Sequence, residues 1–331
     1  MKQITDQKLS IRLTISIVSP CYNEEDNVRN CYEVVRALFE QHLSGYEREH
    51  IFADNASTDG TVGILREIAA QDSAVKVIIN SRNFGVFRST FNALRYATGD
   101  ATLVLLPVDL QDPPELLPEF VRLWKEGYEV VAGVRTGRRE SIFMRGARRT
   151  FYRIVNRLSG FEIPEDVGEF QLIDRKVLDA VLRFDDHYPY IRGIIAACGF
   201  RRTLVPYEWK RRRRGSSKIG MLELVDQALN GIFSFTNAPM RACTFLGVSL
   251  AALCFLYAVI TLAVHLVTPD VAPRGTISLV VGLFFLAGIQ LIFIGLLGEY
   301  VTAVHAQVRR GPTVIERERI NLPESADSSR K

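Results

Sequence analysis

The stretch "LVLLPVDLQDPPE", residues 103–115, begins as an apolar run and ends in side chains that carry oxygen ligands. Asp109 and Gln111 stand where a strand should end, and carboxylate and amide oxygens are ligands that Mg²⁺ and Mn²⁺ prefer. Such an ion also neutralises a departing diphosphate. Pro107 has no ligand atom, so Asp109 and Gln111 are the predicted metal ligands. We favour Asp112 as a helix cap over a ligand, because "DPP" is a common helix start.

Two further polar clusters follow apolar runs and would suit a nucleotide. Glu24 and the backbone of residues 20–22 come after "LTISIVSP" and suit a base or a ribose. Asp54, at the end of "HIFADN", can accept a hydrogen bond from a base N–H. Alternatively, Asp54, Ser57 and Asp59 only cap the next helix, since "STDGT" is a good N-cap and turn signal. We favour this structural interpretation for Ser57 and Asp59, and nucleotide binding for Asp54.

Short β-rich runs alternate with helical patterns before residue 135, which predicts an α/β fold with a doubly wound, mostly parallel sheet. Ligands of such sheets bind beyond the carboxyl ends of the strands, where the polar clusters lie. "SPCYNEE" lacks glycine, which argues against a Rossmann dehydrogenase or a P-loop enzyme. Strands are predicted at 13–20, 50–55, 75–80, 101–108, 129–134, 169–174 and 201–209, and helices around 26–41, 60–71, 86–98 and 115–126.

Two long stretches near the C-terminus, 242–267 and 276–298, contain no Asp, Glu, Lys or Arg. Each is longer than the roughly 20 apolar residues that cross a bilayer as a helix. Basic residues precede and follow the pair, at 210–214 and 309–310, and this excess places both termini in the cytoplasm. The apolar stripe of residues 219–232 predicts an interfacial helix, with an ordinary core-facing helix as the alternative.

These patterns predict a chain anchored in the plasma membrane. The predicted parts are a cytoplasmic domain (1–209), a basic loop with an interfacial helix (210–239), two membrane helices (240–300) and a cytoplasmic tail (301–331). The N-terminus lacks the apolar core of a signal peptide, so the first domain should stay in the cytoplasm. Apolar content of 47% and charge of 24% indicate an ordered protein. The five cysteines show no CxxC spacing, so neither a disulfide framework nor a zinc site is indicated.

Six motifs occur in an order that resembles the family-two GT-A glycosyltransferases, and most closely the polyisoprenyl-phosphate glycosyltransferases with a two-helix C-terminal hairpin. The motifs are "VSPCYNEEDNV", "DNASTDGT", "SRNFG", "DLQDPPE", "YIRG" and "GSSK". The resemblance covers about residues 12–316 and implies three groups of site residues. They are Pro20, Tyr22, Glu24, Asp54, Asn83 and Asp109 for the nucleotide; Asp109, Glu169 and Asp166 for catalysis; and Arg192 and Lys218 for the acceptor phosphate, to which the charge of the basic run adds Arg212 and Arg214.

The chain departs from the resembling enzymes at several positions. Where they usually carry "D-x-G-D-F-R", this chain reads "DVGEFQ" (166–171). Glu169 keeps the negative charge on a longer side chain, and the neutral Gln171 stands where the family has an arginine. A lipid monophosphate has a second pKa near 6 and is mostly dianionic at neutral pH, so a weakened general base is tolerable. Small residues usually follow "NFG", but this chain has Arg88, Phe91 and Asn92. If that face lines the donor pocket, we expect an altered choice of donor.

Acceptor binding requires positive charge beside the membrane. Arginine grips phosphate oxygens in pairs and lysine adds a point charge, which suits Arg192, residues 211–214 and Lys218. The basic run could equally mark only the cytoplasmic side and touch anionic lipids. A nucleic-acid partner is disfavoured so close to a membrane hairpin. Gln290 and small residues near it could support helix–helix contact, which leaves a homo-oligomer open.

The expected activity is an inverting, ion-assisted transfer of a sugar from a nucleotide diphosphate, UDP before GDP, to a polyisoprenyl phosphate. The lipid-linked sugar would serve cell-envelope glycans. The alternative is a catalytically weakened relative that binds nucleotide or lipid as a membrane scaffold, which Pro107, Glu169 and Gln171 favour. A processive polysaccharide synthase is disfavoured, because the chain has neither a "QxxRW" motif nor further membrane helices.

Overall fold

The computed structural model describes residues 12–136, 167–184, 186, 189–208, 238–267, 276–308 and 311–322. These residues fall into two compact units. One is a sheet domain, to which residues 311–322 also belong, and the other is a helical unit of residues 238–267 and 276–308.

One mixed sheet runs through the described part of the sheet domain. Its strands are β1 (Thr14–Cys21), β2 (Glu47–Asp54), β3 (Val75–Asn80), β4 (Ala101–Leu103), β5 (Val130–Thr136), β6 (Val167–Asp174), β7 (Arg202–Glu208) and β8 (Glu316–Ile320). Their order is β7-β5-β6-β4-β1-β2-β3-β8. Four neighbouring pairs are parallel, and the pairs made by β6 and β8 are antiparallel. The predicted doubly wound, mostly parallel sheet is confirmed.

The helices of this domain lie between its strands in the order of the chain. They are α1 (Val28–His42), α2 (Thr61–Gln71), α3 (Val86–Leu94), α4 (Leu117–Lys125), α5 (Arg175–Val181) and α6 (Ile191–Ala197). In α1, apolar residues recur every three or four positions, from Val28 to Phe39, and all lie in the buried core. This spacing puts one continuous apolar face against the sheet.

Aromatic rings fill the core between α4 and the strands β5–β7. Phe120 and Phe170 are fully buried, with ring centroids 5.1 Å apart, and Tyr207 lies edge-on to Phe170 at 5.6 Å. Gly133 makes this approach feasible, because a Cβ there would lie 2.7 Å from the Tyr207 ring. The packing brings the Tyr207 hydroxyl towards the segment that follows β4.

A buried charge cluster ties the amino ends of the central strands together. Glu49 is 4% exposed and accepts hydrogen bonds from Lys76, from Ser16 and from both the backbone and the hydroxyl of Thr98. Burial alone would raise the pKa of Glu49, but these donors lower it. The cluster lies at the sheet end opposite to the predicted ligand site, so we assign it to stability.

Two elements differ from the predicted boundaries for identifiable reasons. β4 ends at Leu103 instead of residue 108, because the residues after it bond to two different strands. Val104 N donates to Gln171 O on β6 (2.8 Å), and Leu106 N donates to Val18 O on β1 (2.8 Å). No strand is predicted within 301–331, yet β8 pairs with the exposed edge of β3. The predicted domain boundaries themselves stay a prediction.

The helical unit consists of α7 (Ala238–Val267) and α8 (Thr276–Val308), at the positions predicted for a hairpin. Among the described residues, Phe285–Thr302 is the one window long and apolar enough to cross a membrane, and Cys243–Tyr257 is a shorter apolar stretch. Large apolar side chains stand exposed on both helices, for example Phe245 and Leu291. That both helices cross a bilayer stays a prediction, and the predicted interfacial helix lies outside the described residues.

Candidate active site

The carboxyl ends of β1, β2 and β3 meet at one edge of the sheet, as expected for parallel strands. Cys21, the last residue of β1, is paired with Asp54, the last residue of β2, and Asp54 is paired with Ile79 of β3. The predicted nucleotide residues follow directly after these positions. β4 is parallel to β1, so the turn that contains Asp109 also leaves the sheet at this edge. The structure therefore gathers the predicted donor and metal residues at one edge.

The turns after β1 and β2 are joined by hydrogen bonds between them. Asn23 N donates to Ser57 Oγ (2.9 Å), Thr58 N donates to Asn23 Oδ1 (2.8 Å), and Glu24 N donates to Thr61 Oγ1 (2.9 Å). Asn23 adopts φ 55°, a left-handed conformation that asparagine tolerates. The two turns thus form one rigid ledge beside the strand ends. Ser57 is structural, as predicted, but it acts between loops instead of capping α2.

The predicted nucleotide residues on this ledge have different exposures. Tyr22 is 44% exposed, whereas Pro20 is buried at the end of β1. The Glu24 carboxylate accepts from Asn27 Nδ2 (2.6 Å), and the Glu24 carbonyl accepts from the first backbone N–H groups of α1. Tyr22 therefore offers a free ring face at the ledge, while Glu24 also orders the start of α1.

Asp54 is fully buried at the end of β2. Ser57 donates to its two carboxylate oxygens, from the backbone N at 3.0 Å and from the hydroxyl. Burial raises the pKa of Asp54 even though the bonds from Ser57 oppose the rise. In this position Asp54 fixes the turn that holds the ledge. Its contact with a base N–H stays a prediction.

The segment from Ser81 to Gly85, called the donor loop below, links β3 to α3 and carries Asn83. Asn83 Oδ1 accepts from Gly85 N (2.8 Å), and Gly85 has φ 86°, which glycine adopts without strain. The buried Asn80 anchors the start of the loop, because its Nδ2 donates to Asn55 Oδ1 and Ser89 Oγ, both at 3.0 Å. The structure thereby connects the ends of β2 and β3 with α3.

The predicted metal ligands lie in contact within one tight turn. Leu110 N donates to Pro107 O (2.9 Å), and Leu110 adopts φ 52°, which turns the chain back. Gln111 donates to the Asp109 carboxylate from its side-chain Nε2 (2.6 Å) and from its backbone N (3.3 Å). A half-turn of the Gln111 amide would present its oxygen beside the carboxylate.

This pair fits a hard divalent cation that completes its coordination with substrate. Mg²⁺ and Mn²⁺ sites commonly use one or two carboxylates, with substrate phosphates and water supplying the other oxygens. Among the described residues, no group of three or more His, Cys, Asp and Glu side chains is placed to hold a metal. Asp109 and Gln111 would then be the protein ligands of an ion held jointly with a diphosphate.

The prediction that Asp112 caps the following helix is wrong. Its carboxylate is buried, 3.1 Å from the Arg135 guanidinium, and it also accepts from the Tyr207 hydroxyl. Pro113 precedes the helical turn Pro114–Leu116, and no side chain caps that turn. Asp112 instead fastens the end of the turn of residues 107–111, called the metal turn below, to β5 and β7. Sequence reasoning missed Arg135, although a charged residue near the carboxyl end of a predicted strand was a usable signal.

At β6 the structure brings Glu169 and Arg192 together. Arg192 Nε lies 3.8 Å from Glu169 Oε1, and that buried oxygen accepts no hydrogen bond from the part of the chain that the structure describes. Arg192 also donates to the Tyr190 hydroxyl (2.7 Å) and to Val167 O (3.2 Å). The predicted acceptor residues Asp166, Arg212, Arg214 and Lys218 lie outside the described residues.

Gln171 does not present its side chain to a ligand. It is buried, and its Nε2 donates to Gly168 O (2.7 Å) within β6. The Arg135 guanidinium lies 3.4 Å from where a Cβ on Gly168 would stand, so the bare glycine leaves room for it. Arg135 therefore places a cation between the Asp112 segment and β6, close to where Gln171 lacks one.

Of the three altered residues after "NFG", two have partners within the fold. Phe91 is buried in the core, and Asn92 Nδ2 donates to Glu316 Oε1 (2.5 Å) on β8. Arg88 is half-buried. Of these three residues, only Arg88 therefore remains a candidate for the lining of the donor pocket.

Comparison with known families matches the two units separately. The family model of Glycosyl transferase family 2 matches residues 16–182, which is more than half of the chain. The chain belongs to glycosyl transferase family 2. A second model, the GtrB C-terminal hairpin, matches residues 238–304. Together these matches confirm the resemblance and support a membrane-associated glycosyltransferase; a double crossing of the bilayer stays a prediction.

Individual relatives of this family-two glycosyltransferase align over nearly its full length. The uncharacterized glycosyltransferase YkcC of Bacillus subtilis is 35% identical and covers 93% of this chain and 94% of its own. The SfII prophage-derived bactoprenol glucosyl transferase of Shigella flexneri is 34% identical, over 92% and 97%. Among solved structures, the mannosyltransferase PcManGT of Pyrobaculum calidifontis with GDP-Man and Mn²⁺ covers 90% and 86% at 19% identity, with a TM-score of 0.47. That structural likeness is too low to bear on function.

Proposed function

We propose that this glycosyltransferase moves a sugar from a nucleotide diphosphate, UDP before GDP, to a polyisoprenyl phosphate such as undecaprenyl phosphate. The observation that carries the proposal is the combination, in one chain, of a family-two domain and the GtrB hairpin. A relative named bactoprenol glucosyl transferase, which aligns over 97% of its own length, supports the same acceptor. The product would form at the cytoplasmic face of the plasma membrane and supply a sugar for cell-envelope glycans.

The donor would lie along the ledge and the donor loop. The exposed ring of Tyr22 suits stacking with a base, and Glu24 and the Pro20 backbone suit the base or ribose. Asp54 keeps the ledge in shape, and Asn83 borders it from the donor loop. With these side chains at the base and ribose, the metal turn remains to bind the diphosphate. This agrees with the order of groups in a sugar nucleotide.

Asp109 and Gln111 would hold Mg²⁺ or Mn²⁺ at the diphosphate. When bound, the ion supplies Lewis-acid neutralisation of the charge on the leaving nucleotide. The buried bonds of Asp112 to Arg135 and Tyr207 keep the metal turn in place. The support for this assignment is the contact between one carboxylate and one amide at the strand edge.

The acceptor phosphate would be received near Arg192. Its guanidinium is oriented by Tyr190 and the Val167 carbonyl, and arginine pairs well with phosphate oxygens. A dianionic phosphate has no proton to lose, so one of its oxygens can attack the anomeric carbon from the face opposite the leaving diphosphate, which inverts the configuration. Glu169 then serves to position Arg192, and Asp166, Arg212, Arg214 and Lys218 keep their predicted roles at this end.

The test is transfer by the full chain in detergent or in membranes. UDP-sugars and GDP-sugars with a radiolabelled sugar are incubated with undecaprenyl phosphate and Mn²⁺, and the organic phase is extracted. We expect label in the lipid fraction with a UDP-sugar. Two controls are the corresponding polyprenol, which lacks the phosphate, and the Asp109→Asn variant.

The outcomes separate the proposal from its rival. Lipid-linked label that requires the phosphate and Asp109 supports the transferase. Binding of UDP without any transfer, for every common UDP-sugar and GDP-sugar, would favour the scaffold predicted as the alternative. A sugar moved to the plain polyprenol would contradict the phosphate acceptor.

A further inference from the structure

The strand β8 comes after the helical unit in sequence but belongs to the sheet domain, where it extends the pairing of β3 as far as the donor loop. Val77 is paired with Ile320, and Asn80 with Glu316, with a register shift between Ile79 and Asn80. Beyond the shift, Ser81 N donates to Ile315 O (2.8 Å). The backbone of the C-terminal segment therefore holds the first residue of the donor loop.

The carboxylate of Glu316 binds α3 and the turn that follows it. It accepts from Asn92 Nδ2 (2.5 Å) and from the Tyr96 hydroxyl (2.9 Å), and it is paired with Arg319 on its own strand. The Glu316 side chain is 9% exposed, so these bonds are shielded from solvent. Bonds to a shielded charged group are among the stronger side-chain bonds in proteins.

The first half of α3 is fastened to the strand ends of the active site. Ser89 Oγ accepts from the buried Asn80, whose Nδ2 also donates to Asn55, the residue after Asp54. The donor loop runs between these two attachments and ends at Gly85, where α3 begins. The loop that carries Asn83 is therefore bounded by Asn80 at one end and by α3 at the other.

The far end of β8 is fixed independently of Glu316. Asn321 has φ 57°, and its Nδ2 donates to Ala69 O (2.7 Å) and Val75 O (2.9 Å). Glu318 makes an exposed ion pair with Arg66 on α2. Removing the Glu316 carboxylate therefore leaves β8 attached and changes chiefly its hold on α3.

We propose that Glu316 is a positioning residue for the donor loop, which makes donor affinity depend on the strand that follows the membrane hairpin. The inference rests on the proposed function, since it takes the Ser81–Gly85 loop to be part of the donor site. Glu316 acts through α3 and does not touch the donor. Its loss should therefore weaken donor binding more than it slows the transfer from a saturated enzyme.

The test compares Glu316→Ala with a matched control on the same strand, Glu318→Ala. Both remove a carboxylate with an arginine partner, but only Glu316 contacts α3. In the full chain, the Kd of UDP with Mn²⁺ is measured calorimetrically, below the unfolding temperature of each variant. We expect Glu316→Ala to raise the Kd and the donor KM about fivefold or more, as for a lost shielded hydrogen bond, with kcat little changed. Glu318→Ala should stay within about twofold of the parent.

A second variant approaches the same bond from the helix. Asn92→Ala keeps all of β8 and should raise the Kd in the same direction, which keeps the test valid if Glu316→Ala fails to fold. The double variant should be less than additive, because both changes break one contact. A parent that binds neither UDP nor GDP overturns the proposed function. A parent that binds UDP, with Glu316→Ala and Asn92→Ala both matching Glu318→Ala, overturns only this inference.

Discussion

The Asp109→Asn substitution is the most direct test of the metal site, because no other carboxylate among the described residues of this turn can replace Asp109. Gln111 is neutral, Pro107 has no ligand atom, and the carboxylate of Asp112 is buried against Arg135. Asparagine keeps the size of the side chain: its Oδ1 can still accept from Gln111 N, and its Nδ2 can donate to the Gln111 amide oxygen after a half-turn of that amide. The substitution therefore removes the one negative charge of the turn with little change in its shape.

The expected loss of metal affinity has a lower bound. Changing a residue that only supports a metal ligand typically costs 10–100-fold in metal affinity, so the loss of the only charged ligand should reach about 100-fold, or about 2.8 kcal/mol. Calorimetric titration of UDP into the full chain, with Mn²⁺ and with a chelator, measures this directly. In the parent, Mn²⁺ should tighten UDP binding strongly; in Asp109→Asn, the two titrations should nearly coincide.

A matched control is Asp179→Asn on α5, which makes the same chemical change in an exposed pair with Arg175. This variant should keep the metal-dependent affinity of the parent. If Asp109→Asn also keeps it, Asp109 is not the ligand and the reasoning from the turn fails. If the parent itself binds UDP equally with and without metal, the turn holds no ion, and the scaffold interpretation gains weight.

Three further substitutions test the supports of the site. Glu49→Gln should lower the free energy of unfolding in urea by about 3 kcal/mol at pH 7, because it leaves Lys76 without its buried partner. Burial would raise the pKa of Glu49, but its hydrogen bonds lower it below its usual value. The ionised Glu49 therefore stabilises the fold above the pKa of the unfolded chain, and the difference in unfolding free energy between the parent and the variant should shrink as the pH falls below about 4. Asp54→Asn should lower the melting temperature and weaken UDP binding, because asparagine has one acceptor oxygen where Ser57 donates to two, and the turn after β2 loses a buried bond. Gly133→Ala should cost about 1–3 kcal/mol of stability and weaken UDP–Mn²⁺ binding, because its methyl group would displace Tyr207, whereas Gly63→Ala, with open space around it, should do neither.

The elements of the sheet domain could be predicted where their pattern is local. The run "VKVIIN" is a strand in sequence and in the structure, and the apolar spacing of α1 marks its buried face. β8 could not be predicted in the same way, because "ERERI" alternates charges at a sheet edge and owes its place to partners such as Asn92 and Arg66. Those partners lie more than two hundred residues earlier in the chain.

The site could be predicted as far as position along a strand determines it. Asp54 and Asp109 follow strands whose carboxyl ends share one edge, and the structure gathers them there. The partners of Asp112 could not be read from spacing. Arg135 and Tyr207 lie 23 and 95 positions away, and only the packing of β5 against β7 brings them to it.

The departures from the family pattern become intelligible once each side chain is followed to its partner. Asp112 is committed to Arg135, Gln171 to the Gly168 carbonyl, and Glu169 lies beside Arg192. Asp112 and Gln171 are therefore not available as a base that takes a proton from an acceptor. A sugar hydroxyl would need such a base, whereas a phosphate dianion does not. The proposed function then leaves the protein to supply positive charge at the donor diphosphate and at the acceptor phosphate. Arg135, beside Gly168, and Arg192, bonded to the Val167 carbonyl, both lie at the first residues of β6.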